Sequence, residues 1–192
     1  MENGQTEKTY FALLYTKGWM NLNKLVRASI FAALAIGAGF SLLMIPNVEL
    51  ITVIIFTAGL YLGPAWGIIV GGTAEMIFSG MNPLGSGLSF PPLFFAQIIG
   101  MAGVGFCGGI LRRIFLLKEY SLNKIIAVGI TGLILTFIFD SITTLSYPLS
   151  AGFDFSRTMG LYISGIGFTL LHQIANGFIF AFGIPRITKF LV

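Results

Sequence analysis

Charge is scarce in this sequence. Of 192 residues only 9% are Asp, Glu, Lys or Arg, while 56% are hydrophobic, and the mean hydropathy is +0.91. A water-soluble domain carries roughly 25% charged residues, because its surface must be hydrated. So few charges cannot coat a globule of this size, and the solvent for most of its surface is lipid. Cysteine is limited to Cys107, which excludes an intramolecular disulfide or a cysteine-built metal site. Histidine is limited to His172. These two residues are far apart in sequence and make a poor nucleophile–base pair for hydrolysis. No GxxxxGK[ST] phosphate loop occurs, and no inverted half-to-half repeat of the secondary-transporter kind is apparent. The first two dozen residues are polar and mixed in charge (Glu2, Glu7, Lys8, Lys17), with no short apolar core and cleavage site, so no signal peptide is expected.

Long apolar runs are what the chain does have. They read as spans over about 25–45, 48–62, 65–79, 93–111, 125–147 and 159–184, in keeping with the roughly 20 residues that cross a bilayer as a helix. The second and third are short, and the turn between them at Gly63-Pro64 is tight. Residues 80–92, rich in Gly, Ser and Pro, read as a loop, and Pro148 to Arg157 as another. Basic residues stand at the ends of the runs: Lys8, Lys17, Lys24 and Arg27 before the first, Arg112, Arg113, Lys118 and Lys124 between the fourth and fifth, Arg186 and Lys189 after the sixth. With six spans and the N-terminus inside, all three groups fall on the cytoplasmic side, and Arg157 alone is outside, as the positive-inside tendency predicts. The net charge of +4 therefore reads as topology, with no nucleic-acid partner. The fold class expected is an all-α integral membrane protein. It would be a bundle of six transmembrane helices with cytoplasmic N- and C-termini, in which residues 1–22 form a cytoplasmic segment and 23–192 the membrane domain.

Ionisable groups within lipid are costly, about 2.5–3.5 kcal/mol at a helix centre on insertion scales, so those present usually face a protein interior or a wet cavity. The candidates are Glu75, Gln97, Asp140, His172, Gln173 and Asn176. The topology places Glu75, Gln97, Asp140, His172 and Asn176 from the middle of the bilayer outward, with His172 and Asn176 on one helix face. That shared depth points to a pocket open to the outside. The outer loops 46–49, with Asn47 and Glu49, and 81–87, with Asn82, are placed to close it. Each residue has a plainer reading. Glu75 can snorkel to the interface, Asp140 with Ser141, Thr143 and Thr144 can serve local helix–helix hydrogen bonds, the amides can be interhelical glue, and His172 can be a packing residue. Phe90, Phe94 and Tyr147 are candidates for stacking on a planar ligand or for belt packing. Small residues repeat at four-residue spacing in the first span (Ala28 with Ala32, Ala33 with Gly37, Ala35 with Gly39). This makes a ridge that another helix can approach closely, within the chain or on a partner. The glycines Gly100, Gly103, Gly105, Gly108 and Gly109 of the fourth span read as internal packing.

Over about residues 23–192 the chain resembles the substrate-binding S components of energy-coupling factor (ECF) vitamin transporters. The residues that carry this are the ridge Ala28-Ser-Ile-Phe-Ala32, the segment Ile45-Pro-Asn-Val-Glu-Leu-Ile-Thr52, the turn Leu62-Gly-Pro64 with Gly67 and Gly71, and Asn82-Pro-Leu-Gly85. The resemblance implies capture of a vitamin-like molecule from outside, with Asn47, Glu49, Glu75, Asn82, Gln97, Asp140, His172 and Asn176 as substrate-binding candidates. Ala28 and Ala32 would dock a transmembrane T component working with two ATPase subunits. ATP would be used by those partners, and this chain would bind no cofactor and no metal. Glu75 and Asp140 hint at a cationic or donor-rich ligand, and His172 leaves a cobalamin-like one open. The expected location is the cytoplasmic membrane of a prokaryotic cell, multi-pass. An intramembrane enzyme using Asp140 and His172, or an assembly subunit without a ligand, are the competing readings.

Overall fold

The computed structural model describes residues 22–192, and all regular structure among them is helical. The expected N-terminal segment over 1–22, with Lys8 and Lys17, lies outside the described residues except for Leu22. The helices are α1 (Leu22–Leu42), α2 (Ile51–Leu62), α3 (Pro64–Gly80), α4 (Pro91–Phe115), α5 (Leu122–Ser150), α6 (Phe155–Ser164) and α7 (Ile166–Thr188), with a 3-10 turn at Gly87–Ser89 before α4. Among the described residues α1, α4, α5 and α7 are long and apolar enough to cross a membrane, so the chain is a multi-pass membrane protein. α2 and α3, with 12 and 17 residues, are shorter.

α2 organises the bundle. It is apolar on every face, as a helix must be when it has no solvent side, and Tyr61 is its single residue that is not buried. It packs against α1, α3, α4 and α7. Gly63, at φ 97°, reverses the chain in a conformation that only glycine adopts without strain, and Pro64 then opens α3 with its ring at the first helical position. The glycines of α4 let three backbones touch. A Cβ on Gly105 would come within 2.0 Å of the Gly67 carbonyl oxygen, and one on Gly108 within 2.2 Å of the Phe56 carbonyl oxygen. Gly109 presses on Pro64, and Gly59 on Gly105 in turn. Gly100 faces the Phe139 ring of α5, whereas Gly103 has no atom within 4 Å and faces outward.

Several boundaries differ from those expected. α1 stops at Leu42 in a series of tight turns in which Ile45 N–H donates to Leu42 at 2.8 Å, and α2 begins only at Ile51; the connection is exposed at Met44, Ile45 and Pro46 and half-buried at Glu49 and Leu50. α5 runs through Pro148 to Ser150, because a proline in a last turn removes only one amide bond. The single run expected over 159–184 is interrupted at Gly165. There the short α6, begun by Asp154 accepting the Arg157 N–H at 2.9 Å, ends and α7 restarts. Of the α1 ridge, Ala28, Ala35 and Gly39 are buried against the bundle, Ala32 is half-buried, and Ala33 and Gly37 are exposed. A groove of about 220 Å³ between α1 and α3 is lined by Ala28, Ala32, Trp66, Ile69 and Thr73 among others.

One end of the bundle gathers the basic residues. The Arg27 guanidinium donates to the Tyr61 hydroxyl at 2.7 Å and stacks on its ring, and Arg112 lies against Gly63. The Tyr120 hydroxyl donates to the Phe115 carbonyl. The beginnings of α1, α3 and α5 and the ends of α2, α4 and α7 therefore share this end.

Replacing Gly105 with alanine drives a methyl into the Gly67 carbonyl and is expected to destabilise the protein by about 1–3 kcal/mol, as overpacking does. Gly103→Ala, in open space, is expected to hold or raise stability by about 0.5–1 kcal/mol through its helix preference. Thermal unfolding of the two variants in the same detergent checks this; equal midpoints contradict the close helix contact.

Candidate functional site

Four elements bring polar side chains together away from the basic end. α2 is about 18 Å long, so the loop residue Glu49, just beyond its first turn, is held well inside the bundle. Glu75 stands about 17 Å along α3 from Pro64, Asn176 about 18 Å and His172 about 24 Å from Thr188 on α7, and Asp140 about 27 Å from Leu122 on α5. Helices of these lengths starting from one end thus deliver all five groups to overlapping depths.

Glu49 anchors the cluster at the N-terminus of α2, where free amides and the helix dipole favour a carboxylate. Its Oε2 accepts the Thr52 N–H at 2.9 Å, and its Oε1 accepts the Thr52 hydroxyl. Oε1 also accepts from Asn176 Nδ2 at 2.9 Å and lies 3.5 Å from His172 Nε2. On the other side of the ring, His172 Nδ1 is 2.8 Å from Asp140 Oδ1. Asn176 Nδ2 lies 3.1 Å from His172 Nε2, one helical turn away on the same face. With its proton on Nδ1 the neutral ring donates to Asp140 and accepts from Asn176; a second proton, on Nε2, faces Glu49. The imidazole is thus clamped between two carboxylates in either state. Glu75, on α3 at an overlapping depth, is 2% exposed.

The network is incomplete. Among the described residues the buried atoms Glu75 Oε2, Asp140 Oδ2 and Asn176 Oδ1 have no hydrogen-bond partner. Asp140 is 8% exposed and Asn176 0%, so bulk solvent does not reach them freely. A buried acceptor left unpaired costs about 1–3 kcal/mol, and two of the three, on Asp140 and Asn176, flank one imidazole.

Other expected site residues are used differently. Gln97 Oε1 accepts the Ser79 hydroxyl at 2.6 Å, beneath the turn at Gly87. Asn82 Oδ1 accepts the Leu84 N–H at 2.9 Å and closes its own turn. Asn47 is a left-handed turn residue at φ 60° two positions before Glu49. Phe90, Tyr147 and Phe153 pair with one another, edge to face, at 5.8 and 5.5 Å between ring centres. The hydroxyl of Thr143 donates to the backbone carbonyls of Phe139 and Asp140, which leaves the Asp140 carboxylate to His172. Thr52 was not foreseen as a site residue. Its signal is the spacing Glu49-x-x-Thr52 across a helix start, where side chain and backbone donors converge. Among the described residues no group of three or more His, Cys, Asp or Glu has the arrangement of a metal site.

The near-isosteric change Asn176→Leu removes a donor from Glu49, and Glu49→Gln removes the charge that Asn176 serves. Each is expected to lower the unfolding midpoint, and the double variant to lose less than the sum, with a coupling of about 0.5–3 kcal/mol. Thermal unfolding of the cycle measures it; strict additivity contradicts the bond. No protein-family model, curated protein or solved structure matches this chain.

Proposed function

We propose that the protein captures a small polar molecule from the non-cytoplasmic side of a cell membrane and delivers it as the substrate-specific S component of an ECF-type importer. The observation that carries the capture reading is the pair of unpartnered, buried acceptors Asp140 Oδ2 and Asn176 Oδ1 on either side of His172, with a third unpartnered buried acceptor, Glu75 Oε2, on α3. A ligand with hydrogen-bond donors completes that network. The positive-inside tendency assigns the basic end to the cytoplasm, with both termini there and α2 and α3 counted as short spans, six in all. The cluster then lies in the outer half of the bilayer. The aromatic group Phe90–Tyr147–Phe153 then lies toward the outer side.

Delivery requires an energy source, and the sequence has no phosphate loop of its own. In this reading a transmembrane T component and two ATPase subunits supply it, the chain belongs to a prokaryotic cytoplasmic membrane, and its cargo is vitamin-like. Ala32, half-buried at the groove between α1 and α3, is the accessible member of the proposed docking pair, since Ala28 is packed within the bundle. The contact of His172 Nδ1 with Asp140 at 2.8 Å also supports a second reading, an intramembrane acid–base enzyme. Nε2, however, faces Asn176 and Glu49, and among the described residues no hydroxyl or thiol is paired with it.

Native mass spectrometry of gently purified protein is expected to find one small molecule bound per chain and unchanged in mass on incubation; a molecule converted to product favours the enzyme, and an empty chain contradicts capture. Glu75→Ala and Asp140→Ala are each expected to weaken retention of that molecule while expression stays near normal. Ala32→Trp is expected to abolish cellular uptake without affecting binding to the isolated chain, and normal uptake contradicts docking at this groove.

A further inference from the structure

The charge balance of the cluster restricts what can complete it. Glu49 and Asp140 both lie against His172, and one imidazolium neutralises only one of them. When both carboxylates are ionised, one negative charge is left over even if the ring is doubly protonated. An ionised Glu75 adds a second. Among the described residues no lysine or arginine is paired with either carboxylate. Arg27 is engaged at the far end of the bundle, where Arg112 also lies, Arg186 lies there too, donating to the Phe182 carbonyl, and Arg157 is exposed on α6 beside Asp154 at 3.5 Å. In a medium of low dielectric an uncompensated charge acts strongly on whatever is bound beside it.

The atoms left open have the same preference. Glu75 Oε2 and Asp140 Oδ2 accept hydrogen bonds when ionised, and Asn176 Oδ1 only accepts, because its amide hydrogens are directed to Glu49 and His172. With Nε2 unprotonated, no donor of the cluster is left unpaired among the described residues. An anionic group would therefore meet surplus negative charge and three lone-pair surfaces, whereas a cationic nitrogen with several N–H bonds meets a partner on each. A bare metal ion fits less well. Both ring nitrogens of His172 are already engaged, and the carboxylates lack the grouping of a metal site among the described residues.

We infer that the captured molecule carries a cationic nitrogen with hydrogen-bond donors, of the ammonium, amidinium or amino-heteroaromatic class, and that this group is seated at Asp140 and Asn176, with Glu75 reaching it from α3. This rests on the capture reading and narrows it. Carboxylates and phosphates are excluded from this position, although they can occur elsewhere on the same molecule.

The test uses the full chain in lipid nanodiscs. The molecule released from the purified protein is identified by mass, and the matched probes benzamidine, benzylamine, benzyl alcohol and benzoate are compared by displacement of that molecule and by thermal shift. The expected result is a released molecule with a cationic nitrogen, displaced by benzamidine or benzylamine and not by benzoate. Glu75→Gln and Asp140→Asn, which keep shape while removing charge, are expected to weaken its binding about 10- to 100-fold, the scale of a lost charge-assisted hydrogen bond. A released molecule without a cationic nitrogen, or equal displacement by benzoate, overturns the inference and leaves capture standing. If nothing is released and no probe shifts the unfolding midpoint, both fall together. Displacement by Mg²⁺ or Zn²⁺ alone, with no organic molecule released, overturns the organic cation in favour of a metal.

Discussion

An imidazole held between two carboxylates in a lipid-embedded bundle is the contact on which the other features depend. Ionic and polar groups lose several kcal/mol of hydration on entering such an interior and regain it only through well-made partners. His172 has those partners on both ring nitrogens, Asp140 at 2.8 Å and Asn176 at 3.1 Å, with Glu49 at 3.5 Å. Removing any one member leaves another buried without compensation. The cluster therefore ties α5 and α7 to the loop before α2, three elements distant in sequence, and fixes how they sit relative to one another.

That geometry is possible because α2 is short. A helix spanning the whole membrane would carry Glu49 to the surface; a 12-residue helix, anchored at Gly63-Pro64, leaves it inside. The helix has no outward face, and its packing relies on glycines that bring α3 and α4 to backbone contact. The tight glycine contacts toward the basic end and the polar cluster in the other half are thus two aspects of one arrangement. The first sets the length and position of α2. The second uses the N-terminus that results.

Much of this was legible in the residues. The scarcity of charge identified a membrane protein, and four spans stand close to where hydropathy put them. Glu75, Asp140, His172 and Asn176 were selectable because each is out of place among apolar neighbours. Glu49 entered only as a loop residue, since nothing local reveals that the loop folds inward; that depends on where α2 begins. Asn82 looked equally suitable but is consumed by its own turn, and Gln97 by Ser79. Hydropathy also ran α6 and α7 together, because Gly165 interrupts the helix without interrupting the apolar composition. The ridge on α1 proved to be divided between a buried face and an exposed one, a distinction that four-residue spacing alone cannot make.

The account holds that a ligand supplies the hydrogen bonds that the protein leaves unmade. An experimental structure of the purified full-length chain in a lipid bilayer, at a resolution that separates ordered molecules, tests this most directly. It should contain density for a small molecule in contact with Glu75 Oε2, Asp140 Oδ2 and Asn176 Oδ1. A structure in which those three atoms are satisfied by the protein itself, with no space between them, would contradict it.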